Sequence, residues 1–327
     1  MIDKIFLYES DSADPYANLA LEECLLTLPA AGTLIFFLWQ NDKTVVIGRN
    51  QNCLRECDVT ALTADGGRLA RRMSGGGAVY HDKGNLNFTF ITTRQDYEET
   101  AQTHIILTAV KSLGVYAESK GRNDLSVNGR KFSGNAYYHG ANSLRHGTIL
   151  VSTDLNKINK YLGVTGGKLE TKGVKSVRAN VVNLTELNPK INIQNMKTAF
   201  INAVQNVYGA PASVMTDAAI DGVLYDGQYK KHAGAGWIMG NAPESGYTLR
   251  ERFAWGEVEI CLSLKNGAVE KCAVFSDALD TELIGALPGV LTGCPFKRGA
   301  FVAAVCNAVA EDAPREDISG MFAAVPA

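Results

Sequence analysis

The chain has 327 residues, 46% of them hydrophobic, and a formal net charge of −2. That composition is globular, long enough for two domains, and its near-neutral charge without a basic block excludes a general nucleic-acid binder. No apolar run approaches the roughly 18–20 residues that cross a bilayer, which excludes a spanning helix, and residues 1–10 lack a signal-peptide pattern. The seven cysteines form no C-x-x-C pair, which speaks against a disulfide framework and a zinc site and fits a reducing cytoplasm.

Asp14-Pro15 opens the first helix, because Asp caps and Pro suits the first helical position. Leu21, Leu25 and Leu28 recur at helical spacing until Pro29. Strand-like runs follow at 34–39 and 44–48, with Asn41-Asp42-Lys43 as the turn, and again at 69–73 and 86–92. Residues 97–113 read as a helix ended by Gly114. Asn128-Gly129, between 125–127 and 131–133, is the strongest hairpin signal. A strand at 148–152 leads to Asp154, which caps a short helix to residue 162. A Gly- and Lys-rich loop covers 163–175, and a helix over 195–207 ends near Gly209.

Residues 209–248 are weakly periodic and contain several glycines, so their end is read as a domain boundary, giving domains 1–247 and 248–327. This stretch is also the expected hinge between the domains. Beyond it, alternating runs at 257–264 and 269–275 surround Asn266-Gly267, a second hairpin signal. Helical segments near 281–287 and 298–310 complete a small α+β unit. Strands and helices do not alternate regularly, so the fold class is α+β rather than a doubly wound parallel sheet.

Three segments carry chemistry. Arg71-Arg72-Met73-Ser74-Gly75-Gly76-Gly77-Ala78-Val79-Tyr80-His81 has consecutive glycines whose amides can form an anion nest, with two arginines suited to phosphate. It is neither a Walker loop nor a dinucleotide fingerprint. In Gly121-Arg122-Asn123-Asp124 and Asn128–Ala136, Lys131 is placed to stabilise a developing charge, and Asp124 offers oxygen to magnesium. Lys131 equally suits a solvent-facing strand position. The third segment joins His146-Gly147-Thr148 to the cationic loop 168–178, and His146 reads as well as a core histidine as a ligand.

Together, LARRMSGGGAVYHDKGN at 69–85, GRND at 121–124, KFSGNA at 131–136, His146–Thr148 and KGVKSVRANVVNL at 172–184 resemble the lipoate–protein ligase A family. VVIGRNQN at 45–52 and the segment 14–24 are similar too, and RFAWGEV at 252–258 resembles that family's accessory domain. The resemblance implies a biotin/lipoate ligase-like catalytic domain, akin to class II aminoacyl-tRNA synthetases, with a small α+β C-terminal domain. It implies an enzyme that adenylates lipoate with ATP and Mg2+ and then acylates a lysine of an apo lipoyl domain or glycine cleavage H protein. Lipoate is a substrate (octanoate being the other acid), and no tightly bound cofactor is implied. By position it assigns Arg72, Gly77, Ala78, Val79 and Tyr80 to the nucleotide, Gly75 and Gly76 to lipoate, and Lys131 to both. Ser74, Asn123, Asp124 and His146 join the same substrate site, and Lys172 and Gly173 lie in the loop that closes over the adenylate. The protein is expected to be cytoplasmic and monomeric, with no nucleic-acid or membrane partner.

Two rivals stand beside this reading. An octanoyl or lipoyl transferase needs a cysteine thioester, yet no cysteine lies between Cys57 and Cys261. A non-catalytic lipoate-binding regulator is expected to lose Lys131 or Ser133-Gly134, and all three are present. The glycine- and arginine-rich loop of biotin ligases is missing.

Overall fold

In a computed structural model, the structure describes residues 2–120, 123–162, 180–240 and 247–325. Two compact units are formed. The first comprises Met1–Val46, Cys57–Ala70 and Val79–Gly234; the second comprises Ile47–Glu56, Arg71–Ala78 and Ala235–Ala327. The glycine-rich segment therefore belongs to the same compact unit as the C-terminal residues.

The first unit is built on an eight-stranded mixed sheet. Its order is Ala212–Val214, Lys4–Glu9, Thr33–Trp39, Asn85–Thr93, Asn142–Leu150, Arg130–His139, Asp124–Val127 and Glu118–Lys120. The first three strands pair in parallel and the rest antiparallel. Alternation along the strands separates two faces. One carries Phe36, Phe88 and Phe90 against helices Glu99–Ser112 and Ile193–Tyr208, with Phe36 stacked 5.0 Å from Phe90 and 5.6 Å from Phe200. Each such ring contributes on the order of 1.5–3 kcal/mol by burial. The opposite face bears Trp39, Thr89 and His146, and helix Pro15–Leu25 reaches it through Glu22.

Local signals act as their chemistry dictates. Asp14 caps its helix by accepting from the Tyr16 amide, and Asp154 does the same for Leu155–Tyr161. Asn128 and Gly129 adopt φ of 51° and 74°, and Asn266 and Gly267 adopt 53° and 77°, the left-handed pair of a tight hairpin. The weakly periodic stretch after Gly209 is a correction. It holds the edge strand Ala212–Val214 and helices Gly222–Ala233 and Ala235–Met239. Helix Gly222–Ala233 is tied down where Glu23 accepts from Lys231 at 2.7 Å and bonds His232 at 2.8 Å, so residues 222–233 are not a free hinge.

The second unit has its own core. Strands Tyr247–Phe253, Gly256–Lys265 and Ala268–Ser276 form an antiparallel sheet, and helices Thr281–Leu291, Arg298–Ala308 and Asp312–Met321 cover it. Val258, Ile260, Leu287, Phe301 and Phe322 are buried there. Among the described residues no helix is long and apolar enough to cross a membrane.

Candidate functional site

The glycine-rich segment is stitched from within by Arg72. The buried guanidinium donates to the carbonyls of Gly75 at 2.5 Å and Gly77 at 2.9 Å, and to the Ser74 hydroxyl at 3.1 Å. A trans peptide sets its N–H opposite its carbonyl, so the Ala78 amide points away from Arg72. The same construction turns the Gly76 amide outward, where it meets the Ala278 carbonyl at 3.3 Å. Contrary to the expectation from sequence, Arg71 does not supply free charge for phosphate. It donates to the carbonyls of Gly48, Arg49, Gln51, Trp237 and Ile238 at 2.7–3.1 Å, and the Trp237 indole donates back to the Arg71 carbonyl at 2.8 Å. Five carbonyls around one guanidinium make Arg71 a structural clamp, and its burial lowers its pKa.

The three glycines have three different reasons. A Cβ on Gly75 would stand 2.1 Å from the Ala278 carbonyl oxygen, so that residue is a close approach of two backbones. Gly76 has φ 88°, where side chains are strained. Gly77 meets nothing within 4 Å, and its space is open.

In the first unit, Lys131 starts beside the Asn128-Gly129 turn, and a bulge between Leu125 and Ser126 resets the register of its partner strand. Its Nζ lies 2.8 Å from an Asp124 carboxylate oxygen. Asp124 pairs with Gly134, two residues before Ala136, which pairs with His146 and through it with Thr89. Cross-strand partners share a face, so Asp124, Gly134 and His146 stand on the face opposite the phenylalanine core. Gly134 matters here because a Cβ would come within 2.8 Å of Lys131 Nζ. Asn123 is locked to Asn135, donating to its carbonyl at 2.8 Å.

On that face His146 Nδ1 bonds Glu22 at 2.9 Å, Glu22 accepts from Thr89 at 2.6 Å, and Thr89 accepts from the Trp39 indole at 3.1 Å. All four side chains are buried. Sequence reasoning attached no role to Glu22, Thr89 or Trp39; a charged residue on an apolar helix face was the available signal. Val79 is half-buried, and the Tyr80 ring is buried 5.4 Å from Tyr161, leaving the backbone of Tyr80 for any ligand contact. Arg72, Ser74, Gly75, Gly76, Gly77 and Ala78 thus lie together in the second unit, and Val79, Tyr80, Asn123, Asp124, Lys131 and His146 in the first. Lys172 and Gly173, with Gly121 and Arg122, lie outside the described residues. Among the described residues no group of three His, Cys, Asp or Glu is placed to hold a metal ion.

The model of the lipoyl protein ligase A/B catalytic domain matches residues 14–205, more than half the chain. The chain belongs to the lipoyl protein ligase A/B family. The model of the bacterial lipoate protein ligase C-terminus matches residues 242–320. The structure is similar to that of P. falciparum LipL1 in complex with lipoate, with a TM-score of 0.85 and 27% identity over 97% of this chain and 99% of that one. It is also similar to the bipartite lipoate protein ligase of Thermoplasma acidophilum, described with its E2 lipoyl domain. That match has a TM-score of 0.63 and 26% identity over 76% of this chain and 100% of the other. A lipoate-protein ligase A bound with ATP matches with a TM-score of 0.63 and 25% identity, covering 73% of this chain and 99% of that one. This chain is a lipoate–protein ligase-family enzyme with an α+β fold, carrying both the catalytic domain and the ligase-type C-terminal domain.

Proposed function

We propose that this protein is an ATP-dependent lipoate–protein ligase that works in two steps. A lipoate carboxylate oxygen attacks the α-phosphorus of Mg-ATP, the bond to the β,γ-phosphates breaks, and pyrophosphate leaves. The ε-amine of an acceptor lysine then attacks the carbonyl of lipoyl-AMP, loses a proton, and AMP departs. The acceptor is an apo lipoyl domain or a glycine cleavage H protein, reached in the cytoplasm by a monomer. Domains 1–247 and 248–327 divide the work, the first holding the reactants and the second completing the environment of the glycine-rich segment.

The observation that carries this reading is the lysine: Lys131 Nζ is held by Asp124 at 2.8 Å over side-chain-free Gly134. No protein nucleophile is needed, since both steps proceed by positioning and charge stabilisation. In this reading Lys131 meets the carboxylate and the phosphate together, the outward Ala78 amide receives a phosphate oxygen, and Gly77 gives the nucleotide room. Gly75 and Gly76 bound the lipoate side, and the family resemblance assigns Lys172 and Gly173 to the adenylate. Asp124 already engages Lys131, so magnesium enters as part of the nucleotide substrate, with Asp124 at its margin. The cysteine-transferase alternative is disfavoured. Burial and neighbouring acids push the Cys24 thiol up to about 11, burial raises Cys53, and Cys57 is buried. Such thiols are poor nucleophiles. The test is pyrophosphate release: it should require lipoate and Mg-ATP together and proceed without acceptor. Release that needs no lipoate would overturn the adenylation step.

A further inference from the structure

Two buried hydrogen-bond chains on the polar face of the large sheet fix where two histidines carry their protons. The first starts at Asn18, whose amide nitrogen meets the backbone carbonyls of Ser12 and Gln40, each at 2.9 Å. A backbone carbonyl only accepts, so the Asn18 NH2 group faces both. The same nitrogen lies 3.0 Å from the Asn41 side chain, which therefore presents its oxygen there. That turns the Asn41 NH2 group towards His81 Nδ1, at 3.1 Å. The Asn87 oxygen accepts from Asn85 at 2.8 Å, which leaves the Asn87 NH2 group 3.4 Å from the same His81 nitrogen. With N–H groups aimed at it, His81 Nδ1 is the acceptor nitrogen, and the ring proton sits on Nε2. Asn18, Asn41, Asn87 and His81 are each 3% exposed or less, so protein groups decide this orientation.

The second chain starts at the Trp39 indole, which only donates. Thr89 accepts from it at 3.1 Å and gives its own hydroxyl proton to Glu22 at 2.6 Å. Glu22 accepts in turn from His146 Nδ1 at 2.9 Å, so here the ring proton sits on Nδ1. The two histidines are thus held the opposite way round. His81 also meets the Trp39 ring edge-on, with centroids 6.1 Å apart.

His81 lies on the same sheet face as the lysine of the proposed reaction. Lys131 Nζ is held over Gly134, and Gly134 donates to the Thr148 hydroxyl at 3.3 Å. Thr148 pairs with Asn87, Asn87 pairs with Trp39, and Asn87 bonds His81. Cross-strand partners share a face, so a molecule anchored at Lys131 and lying on this face reaches His81 after two strand spacings, about 10 Å.

We propose, resting on the ligase reading above, that His81 donates from Nε2 to the sulfur-bearing end of the acid whose carboxylate meets Lys131, and that Asn41 is the positioning residue that holds His81 in that tautomer. The bond is of the weak kind that sulfur accepts, and it sets where the far end of the acid rests. His146 contributes the opposite pattern, fixed by Glu22.

The test uses the full chain labelled with nitrogen-15 at its five histidines. Long-range proton–nitrogen correlation spectra should show His81 protonated on Nε2 and bare on Nδ1, and the Nε2 signal should move when lipoate is added. Asn41→Asp keeps an oxygen for Asn18 and replaces the NH2 group by an acceptor, so a proton should appear on His81 Nδ1. His81→Leu should weaken lipoate binding about fivefold by calorimetry, with ATP binding unchanged. If either variant fails to fold, the spectra of the parent chain with and without lipoate decide. None of these readouts needs turnover, so they separate this inference from a failure of the adenylation step. A parent His81 protonated on Nδ1, an Nε2 signal unmoved at saturating lipoate, or a folded His81→Leu protein with parental lipoate affinity would overturn the proposal.

Discussion

Gly134→Ala separates chemistry from folding. The added Cβ would lie 2.8 Å from Nζ and 2.9 Å from Cε of Lys131. Carbon contacts are comfortable from about 3.5 Å, so the ammonium must move by roughly 1 Å. The obstruction is the far end of a flexible side chain, so the fold gives way at little cost, and alanine reduces the freedom of the unfolded chain. The reaction has less tolerance. A misplacement of about 1 Å in a group that meets the reacting atoms costs on the order of a hundredfold, or about 2.7 kcal/mol. Pyrophosphate release with saturating lipoate and Mg-ATP should therefore fall about a hundredfold, while the thermal midpoint stays at or slightly above that of the parent. A folded Gly134→Ala protein with a near-parental rate would refute the placement of Lys131 at the reacting atoms.

Lys131→Ala should lose at least about a hundredfold in the same assay with circular dichroism unchanged, by analogy with removal of one donor to a developing charge; a near-normal rate would return Lys131 to a solvent-facing role. Gly75→Ala should destabilise the second unit by about 1–3 kcal/mol, because its Cβ would press on the Ala278 carbonyl, a backbone atom with no rotamer to change; an unchanged denaturation midpoint would contradict that packing. Glu56 is pushed up to about 7 by burial and by the neighbouring carboxylates of Asp277 and Glu257. Its folded-state pKa exceeds its ordinary value near 4.3, so the folded chain binds the extra proton and stability falls as pH rises between about 4.5 and 7. Glu56→Gln should thus stabilise the protein by roughly 2–3 kcal/mol at pH 8 and change little at pH 4, and equal effects at both pH values would refute the assignment. Cys24→Ala should keep full ligation when assayed below its melting range, whereas abolished transfer would revive the thioester route.

The residues that were legible in sequence are those whose role is local. Asp14 and Asp154 cap helices by themselves, and Asn-Gly at 128–129 and 266–267 forces a tight turn whatever surrounds it. What escaped is what distant contacts decide. Helix Gly222–Ala233 contains two glycines and little periodicity, and its position depends on Glu23 meeting Lys231 and His232 some 200 residues away in sequence. The strand Tyr247–Phe253 is mostly exposed, so it carries no buried alternation to read. The hairpin from Arg130–His139 to Asn142–Leu150 is legible only at its ends, because its middle mixes small and polar residues on both faces instead of alternating apolar with polar ones. Within the candidate site, spacing located the glycine-rich segment but did not distinguish Arg71 from Arg72. Only the surrounding carbonyls show that one clamps neighbouring loops and the other holds the turn.

The central claim is that ATP drives covalent lipoylation of an acceptor lysine. The most direct test is the intact mass of an apo lipoyl domain after incubation with the protein, lipoate and Mg-ATP. The account predicts one lipoyl addition per domain, lost when ATP is omitted, when lipoate is omitted, or when the acceptor lysine is replaced by arginine. An acceptor that stays unmodified under the complete conditions, or that is modified from an acyl carrier protein without ATP, would contradict it.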